Sequence, residues 1–419
     1  MPNMRIVFTI LQLFTWCKIA NSAEMVKAVP ILNPNVKLPC DAGLANMSNL
    51  LDPPAGKHGF LRVSHDGHFT FDDGTRMRFF GVNIARDSIF CTRDEIRNAV
   101  RTLARTGINI VRFHHFDERG GIIASASPGE VKFYERRLDC LDYWLYELKR
   151  AGIYVYLDLL DYRQFNATEG VRNAHALPRA GKPMAIFNHT LIRQQQAYAR
   201  ALLREHVNRY TGLSYADDPV IAFIEVFDEN GLLWRPWEWR TLPEPYRSEL
   251  QRLWNEWLRG RYRSTRALQR AWRNHGEEAI QRGESLERYS VRLPRFANLR
   301  ANRPLSQRER DGLQFAYELH KRYYATMMAF LRSIGVRVPI TAVGNWKRWA
   351  DLKAMSETLD FIAVNYYFDH PIFPHKAWQP PFVFTNTNPL MCTDWNAFAP
   401  AVAFAKVCGK PLIVREWNY

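Results

Sequence analysis

Short apolar runs alternate with longer amphipathic stretches along most of the chain. Apolar runs of about four to eight residues that end in turn residues are typical of buried parallel strands, and apolar positions three and four apart indicate helices. The runs predict seven strands, at residues 78–84, 108–114, 153–159, 220–227, 338–343, 361–366 and 411–415. Repetition of strand and helix in this order predicts an α/β fold around a parallel sheet.

The amphipathic stretches predict helices between these strands, at residues 94–106, 131–151, 190–210, 306–334 and 395–407. A Gly closely follows several of them, as expected where a helix ends in a left-handed residue. The connection after the fourth strand is too long for a simple loop and carries predicted helices of its own, at 247–259 and 264–275. Residues from about 235 to 305 are therefore interpreted as an insertion.

Three segments precede the first strand. Residues 1–23 have the pattern of a signal peptide, with Arg5 ahead of a short apolar run and small residues at 20–23. Residues 24–58 show little periodicity, and we expect an extended lead-in there. Residues 59–71, with the turn residues 72–74, predict a hairpin that covers the bottom of the sheet. We expect residues 59–419 to form one large domain.

Two of the predicted strands end in carboxylates. The fourth strand is followed by Asp228 and Glu229, and the seventh by Glu416. The carboxyl ends of barrel strands meet at one face, and retaining glycoside hydrolysis uses two carboxyls about 5 Å apart. A single such Glu is more simply a salt-bridged strand end, but two of them favour a catalytic pair. The acid of such a pair is protonated and the nucleophile is ionised.

The strand count fits a (β/α)8 barrel or an open doubly wound sheet. No Gly-rich phosphate-binding motif stands at a strand–helix turn, which removes the usual reason to choose a nucleotide-binding sheet. An open sheet with unrelated chemistry would also hold the two strand-end glutamates far apart. The separation of the two glutamates in a structure therefore distinguishes the barrel from the open sheet.

Several short motifs occur in the order that a known family has them. They are FFGVN at 79–83, NIVRFHH at 109–115, YTG at 210–212 with DP at 218–219, and DHP at 369–371. With the two glutamates, they make the chain resemble the cellulase-type barrel glycoside hydrolases of the family 5 kind, and residues 257–272 resemble an insertion of β-galactosidase-like members. The resemblance implies a (β/α)8 TIM barrel and a secreted retaining hydrolase of β-linked oligo- or polysaccharides, without metal or cofactor.

The resemblance also assigns roles to residues of this chain. It makes Glu229 the acid/base and Glu416 the nucleophile, which Arg112 would hold ionised. Tyr367, or Tyr366 if the register slips by one residue, would donate a hydrogen bond to the nucleophile. The other expected substrate-binding residues are His115, Asp228, Asn365 and Trp346. Because neighbouring strand residues face opposite sides, at most one of His114 and His115 is expected to face the cleft.

Three departures from the family pattern bear on activity. Asp228 stands where relatives carry Asn, which keeps an acceptor for a sugar hydroxyl but places a charge that raises the pKa of Glu229. Asn365 lies where relatives often carry His. Few residues follow Glu416, so we expect a barrel incomplete at its C-terminus, without its eighth βα unit, and poorly stable or inactive alone. The alternative function is a carbohydrate-binding barrel with weakened or lost catalysis.

The charge balance does not change this interpretation. Lys and Arg total 57 against 42 Asp and Glu, a net charge of +15. The Arg residues concentrate between about 235 and 310 and recur around predicted helices, which is typical of a solvated helical face. The six Cys form no CxxC or Cys/His metal pattern. We therefore expect the protein to bind a carbohydrate and not a nucleic acid. We also expect no integral membrane segment and a location outside the cell or in a periplasm. The oligomeric state stays open.

Overall fold

The computed structural model describes residues 46–273, 279–296, 304–345, 348–367, 371–374, 377, 383–385 and 399–418. The predicted signal peptide at 1–23, residues 24–45 of the lead-in, and Trp346 lie outside these ranges. The described end of the lead-in contains a short 3-10 helix, Ser48–Leu50, and turns. No described helix combines the length and the apolar content that a bilayer span requires.

The described strands and helices alternate as the sequence pattern predicts. The strands are β1 Leu61–Val63, β2 Phe69–Phe71, β3 Gly81–Ala85, β4 Ile110–His114, β5 Ile123–Ser127, β6 Glu130–Phe133, β7 Tyr154–Asp158, β8 Ile221–Glu225, β9 Ile340–Thr341, β10 Ile362–Tyr367 and β11 Leu412–Asn418. The helices are α1 Arg93–Arg105, α2 Glu135–Ala151, α3 His189–Arg200, α4 Tyr246–Tyr262, α5 Thr265–Ala271, α6 Gln307–Ser333, α7 Trp349–Thr358 and α8 Ala399–Val407.

Five parallel strands form one sheet in the order β3-β4-β7-β8-β9, and β10 pairs in parallel with β11. The backbone N–H of Asp360 donates to Ile340 at 3.0 Å, which links the start of β10 to β9. Asn83 Nδ2 in β3 donates to the carbonyl of Arg415 in β11 at 3.1 Å. Across the described residues, the strands thus follow one another as in an α/β barrel, and the predicted fold class is confirmed.

The predicted N-terminal hairpin is present, but its turn is earlier than expected. Strands β1 and β2 pair antiparallel through a turn closed by the Ser64 N–H donating to the His68 carbonyl at 2.8 Å. Residues 72–74 form a second turn, which returns the chain towards β3. Phe69 packs edge-on against Phe79 and Phe361, which precede β3 and β10. The hairpin therefore covers the N-terminal ends of the strands, as predicted.

Two helix predictions need correction, and one helix was missed. The stretch predicted as helix from 131 begins as strand β6, because Pro128 and Gly129 make a turn that pairs β6 with β5. The helix predicted to reach 210 ends at Arg200, and a π-helical turn, Ala201–Glu205, follows it. Helix α7 was not predicted at all. It is short and has no side-chain hydrogen bond at its N-cap, so it lacks the usual sequence marks of a helix start.

The predicted insertion packs on the long helix α6. Trp254 of α4 stacks on Trp257 and Trp272 and lies edge-on to Phe315 of α6 at 5.3 Å. Asp311 of α6 accepts a hydrogen bond from Trp272 Nε1 at 2.8 Å. These contacts account for several of the chain's Trp residues as helix packing, so the aromatic richness of this region is structural.

Candidate active site

The two glutamates lie after β8 and within the last three residues of β11. Glu229 follows β8 by a few residues and has a positive φ of 39°. Strand β11 continues beyond the predicted end, so that Glu416 lies within it and pairs with Asn365 of β10. Asn365 Nδ2 in turn donates to Glu229 Oε1 at 2.7 Å. Asn365 of β10 thus links the two glutamates, through its backbone pairing with Glu416 and through its side-chain hydrogen bond to Glu229.

Glu229 is placed to be a proton donor. Burial raises its pKa to about 8, and the negative charges of Asp228 and Glu416 add to the effect. The hydrogen bond from Asn365 and the charge of Lys182 oppose it but are smaller. With a pKa at that value the carboxyl holds its proton at neutral pH, which a general acid requires.

Glu416 is surrounded by donors instead. Arg112 Nη1 donates to Oε1 at 2.8 Å, and Arg415 Nη1 lies 3.4 Å from the same oxygen. The phenol of Tyr367 donates to Oε2. This set of two guanidinium groups and a hydroxyl complements a carboxylate anion, because charged hydrogen bonds of this kind are strong when they are shielded from water.

Of the two neighbouring tyrosines considered in the sequence, Tyr367 is the one that contacts Glu416. Tyr367→Phe is expected to lower kcat roughly 10- to 100-fold with little change in KM, because Glu416 loses a hydrogen-bond donor. Steady-state kinetics on a soluble β-glycoside would measure this, with Tyr366→Phe as the matched control. A larger loss in the Tyr366 variant would show that the hydrogen bond seen here is not the important one.

Beneath the glutamates lies a buried ionic cluster that the sequence reasoning missed. Arg112 Nε donates to Asp158 Oδ1 at 3.2 Å, and Arg415 Nη1 lies 3.1 Å from Glu225 Oε1. All four side chains are essentially inaccessible to solvent. Burial raises the pKa values of Asp158 and Glu225 well above their usual range, while the charge of Arg112 opposes this. The one indication of this cluster in the sequence was the presence of charged residues inside strands that were predicted to be buried.

Asp228 is more constrained than the sequence suggested. Arg415 Nη2 donates to its Oδ1 at 2.6 Å, and Lys182 Nζ lies 3.3 Å from its Oδ2. Lys182 Nζ also donates to the backbone carbonyl of Asp228 at 2.6 Å. Both carboxylate oxygens therefore already accept hydrogen bonds from the protein, and Asp228 acts as an acceptor for this chain's own cations. Lys182 lies in a loop without periodicity, and nothing in the sequence indicated that it contacts Asp228.

The histidine pair at the end of β4 departs from simple strand alternation. The strand ends at His114, and His115 has a φ of 57°, which turns its side chain away from the strand pattern. The two rings lie 4.6 Å apart, and His115 also stacks on Tyr162 at 5.6 Å. The expectation of opposite faces applied to a strand that continues through both residues, and β4 ends at His114, so strand alternation does not decide which ring faces the cleft.

Carboxylate groups close enough to hold a metal occur in the described part of the site. The ligand atoms of Asp158, Glu225 and Asp228 lie within 4.8 Å of one another, as do those of His114, Asp158 and Asp161. Arg415 contacts all three carboxylates of the first set, and Arg112 binds the Asp158 that both sets share. A guanidinium in this place competes directly with a metal cation, so the donor set fits ion pairs better than a metal.

Several tryptophans follow the strands predicted at 220–227, 338–343 and 361–366, and those that the structure describes differ in exposure. Trp239 is buried, and its Nε1 donates to the Leu232 carbonyl at 2.8 Å, so it belongs to the core. Trp237 is 44% exposed, so part of its side chain is accessible to solvent. Trp346 and Trp378 lie outside the described residues. Among the described tryptophans that follow β8, Trp237 is therefore the more accessible surface for stacking on a sugar.

Comparison with known proteins bears on the fold directly. The endo-1,4-beta-mannanase from Rhizomucor miehei aligns over 86% of this chain and 82% of its own, with a TM-score of 0.50 and 14% identity. The two chains share an α/β barrel fold. A family 5 glycoside hydrolase mannosidase from the same fungus aligns over 86% of this chain and 73% of its own, with a TM-score of 0.49 and 13% identity.

The sequence comparison finds a relative of the same kind. Mannan endo-1,4-beta-mannosidase 4 from Oryza sativa subsp. japonica is 28% identical over 177 residues, which are 40% of this chain and 38% of the rice protein. No model of a known protein family matches the sequence. The resemblance to the cellulase-type hydrolases inferred from the motifs is confirmed. In a barrel of this kind the active site lies at the carboxyl ends of the strands, where Glu229 and Glu416 are found.

Proposed function

We propose that the protein is a secreted retaining β-glycoside hydrolase, with Glu229 as acid/base and Glu416 as nucleophile. The observation that carries the proposal is the contrast between these two carboxyls. Glu229 has a pKa raised to about 8 by burial and by neighbouring negative charge. Glu416 is held by Arg112 and Tyr367. One carboxyl is thus ready to give a proton and the other to attack, as double displacement requires.

The reaction follows from these positions in two steps. Glu416 attacks the anomeric carbon while the bond to the aglycone oxygen breaks and Glu229 gives that oxygen its proton. In the second step Glu229 takes a proton from water, the water oxygen bonds to the anomeric carbon, and Glu416 leaves as a carboxylate. Because the charge of Glu416 helps raise the pKa of Glu229, its loss in the covalent ester lowers that pKa and favours the base role.

The substrate class is a β-linked oligo- or polysaccharide. The rice relative is a mannan endo-1,4-beta-mannosidase, so β-1,4-linked mannan is the first substrate to test. We propose that Glu229 and Glu416 are assisted by substrate-binding or positioning residues, which are Arg112, His115, Asp228, Asn365, Tyr367 and Trp346. The pattern at residues 1–23 supports export of the protein from the cytoplasm.

The direct assay compares β-mannan with cellulose, xylan and β-galactan by the release of reducing ends. The stereochemistry is read by proton NMR of the first product, before mutarotation. We expect the β-anomer of the new reducing end, since double displacement retains configuration. An α-anomer, or no hydrolysis of any β-linked substrate, would contradict the proposal.

The pH dependence provides a separate test of Glu229. With a pKa of about 8, the acid keeps its proton through neutral pH, and kcat/KM is expected to fall on the alkaline side with a midpoint near that value. For Glu229→Gln on a substrate with an activated leaving group, this limb should be absent, because no protonated acid is then needed. An alkaline limb that persists in the variant would assign the titration to another group.

A further inference from the structure

Lys182 lies in the long connection between β7 and α3, far in sequence from the residues that it contacts. Its side chain is 2% exposed. Its Nζ donates to the backbone carbonyl of Asp228 at 2.6 Å and lies 3.3 Å from the carboxylate oxygen Oδ2. The Tyr162 ring centroid lies 4.5 Å from the same nitrogen. Burying an ammonium group to this degree costs free energy unless the charge is paired. Asp228 provides the paired negative charge.

The carbonyl that Lys182 binds belongs to the peptide between Asp228 and Glu229. The orientation of this peptide sets the direction in which Glu229 leaves the end of β8. Glu229 itself has a φ of 39°, a backbone conformation that residues other than Gly rarely adopt. Such a conformation persists only where the surroundings hold it in place. The hydrogen bond from Lys182 is one of the contacts placed to do so.

Asp228 is held from its other side as well. Its backbone N–H donates to the carbonyl of Leu160 at 2.9 Å, and Arg415 binds its Oδ1 at 2.6 Å. Lys182 supplies the remaining contacts, to Oδ2 and to the backbone carbonyl. The connection after β7 therefore contacts the residue before the acid/base at both ends, through Leu160 and through Lys182.

We propose that Lys182 is a positioning residue, which fixes the peptide that precedes Glu229 and anchors the carboxylate of Asp228. This inference rests on the proposed function, since it gives Lys182 its role through the acid/base. Lys182 reaches Glu229 through Asp228 and is not itself required to touch the substrate.

The charges around Glu229 fix the direction of the expected effect. Asp228 and Glu416 raise its pKa, whereas Lys182 and the amide of Asn365 lower it. Replacing Lys182 by an uncharged residue removes a positive charge that lowers the pKa of Glu229, while Arg415 still contacts Asp228. The pKa of Glu229 should then rise further, and the alkaline limb of the pH profile should move upwards.

The test compares Lys182→Met with Lys149→Met. Lys149 makes a similar partly buried ion pair with Asp218, 2.8 Å apart, on a part of the barrel remote from the glutamates. For Lys182→Met we expect kcat to fall roughly 10- to 100-fold with KM nearly unchanged, because the acid/base is misplaced. The alkaline limb should shift up by about one pH unit. Lys149→Met should change neither quantity.

Two further measurements separate a positioning role from a general loss of folding. Carbon-13 NMR of labelled Glu side chains follows the titration of Glu229 directly and does not require turnover. Ethylammonium added to Lys182→Ala should restore part of kcat by filling the space with a cation, while ethanol at the same concentration should not.

These experiments distinguish a failure of the role proposed for Lys182 from a failure of the proposed hydrolase function. If the wild-type protein hydrolyses no β-glycoside, the NMR titration still decides the contact: a raised pKa of Glu229 in Lys182→Met supports it, and an unchanged pKa overturns it. If the wild type is active, the proposal is overturned by a Lys182→Met variant with unchanged kcat and pH profile. It is equally overturned by a loss of kcat that brings no pKa change and no rescue by the amine.

Discussion

Replacement of Glu416 by Gln is expected to lower kcat on a soluble β-glycoside by about 10⁴-fold or more. The amide cannot attack the anomeric carbon, and it also loses the charge that Arg112 and Arg415 contact. Binding of a β-linked oligosaccharide, measured by calorimetry, should remain within a few-fold of the wild-type value. Glu357→Gln, a change of an exposed glutamate on α7 that pairs with Lys321, is the matched control and should leave kcat unchanged.

Rescue by azide makes this prediction sharper. In Glu416→Ala, azide can enter the space left by the nucleophile and attack from the same face, which gives an α-glycosyl azide.

If Glu416→Gln binds sugar as well as the wild type does, and neither protein turns over substrate, the protein is the carbohydrate-binding barrel considered as the alternative. If the variant retains wild-type turnover, the assignment of the nucleophile is wrong.

Glu229→Gln has the second largest expected effect, a loss in kcat of about 10²- to 10⁴-fold on substrates with poor leaving groups. The loss should be much smaller for a dinitrophenyl glycoside, because its leaving group departs without a proton. In Glu229→Ala, azide should give a β-glycosyl azide, since it attacks the glycosyl-enzyme from the side of the missing base. An equal loss on both classes of substrate would mean that Glu229 acts in some other way than as the acid.

The same substitution should change how stability depends on pH. The pKa of Glu229 is about 8 in the folded protein, against an ordinary value of 4.5. Between these values the folded state keeps a proton that the unfolded chain has released, so wild-type stability falls as pH rises through this window. Glu229→Gln lacks this penalty and should gain melting temperature relative to the wild type at pH 8.5 but not at pH 4. No difference between the two pH values would contradict the raised pKa.

The sequence was sufficient to predict the seven strands of the barrel and the placement of Glu229 and Glu416 at the fourth and the seventh of them. Apolar runs that end in a carboxylate are unusual, because a charge at the end of a buried strand is costly, and this made Glu229 and Glu416 visible. Tyr367 came from the resemblance to the cellulase-type hydrolases, which left Tyr366 open, and in the structure the hydroxyl of Tyr367 donates to Glu416. The strands and the two glutamates were predicted from local patterns in the sequence, which do not depend on long-range contacts.

The missed features depend on contacts between distant parts of the chain. Asp158 and Arg415 appeared only as charges within apolar strands, and their pairing across the barrel has no local mark. Lys182 lies in a loop whose residues follow no period, so its contact with Asp228 became evident only from the fold. The side of the site on which His115 lies depends on its positive φ at the end of β4. A positive φ can be expected from the sequence at a Gly, but not at a His.

The most direct test of the central claim is covalent trapping with an activated fluorosugar of the substrate that the polysaccharide assay selects. The fluorine slows the second step more than the first, so a glycosyl-enzyme should accumulate. We predict one sugar per chain by intact mass, and a labelled peptide whose modified residue is Glu416. A label on a different carboxylate, or a protein that turns over the natural substrate yet never becomes labelled, would contradict the assignment of Glu229 and Glu416 as a retaining pair.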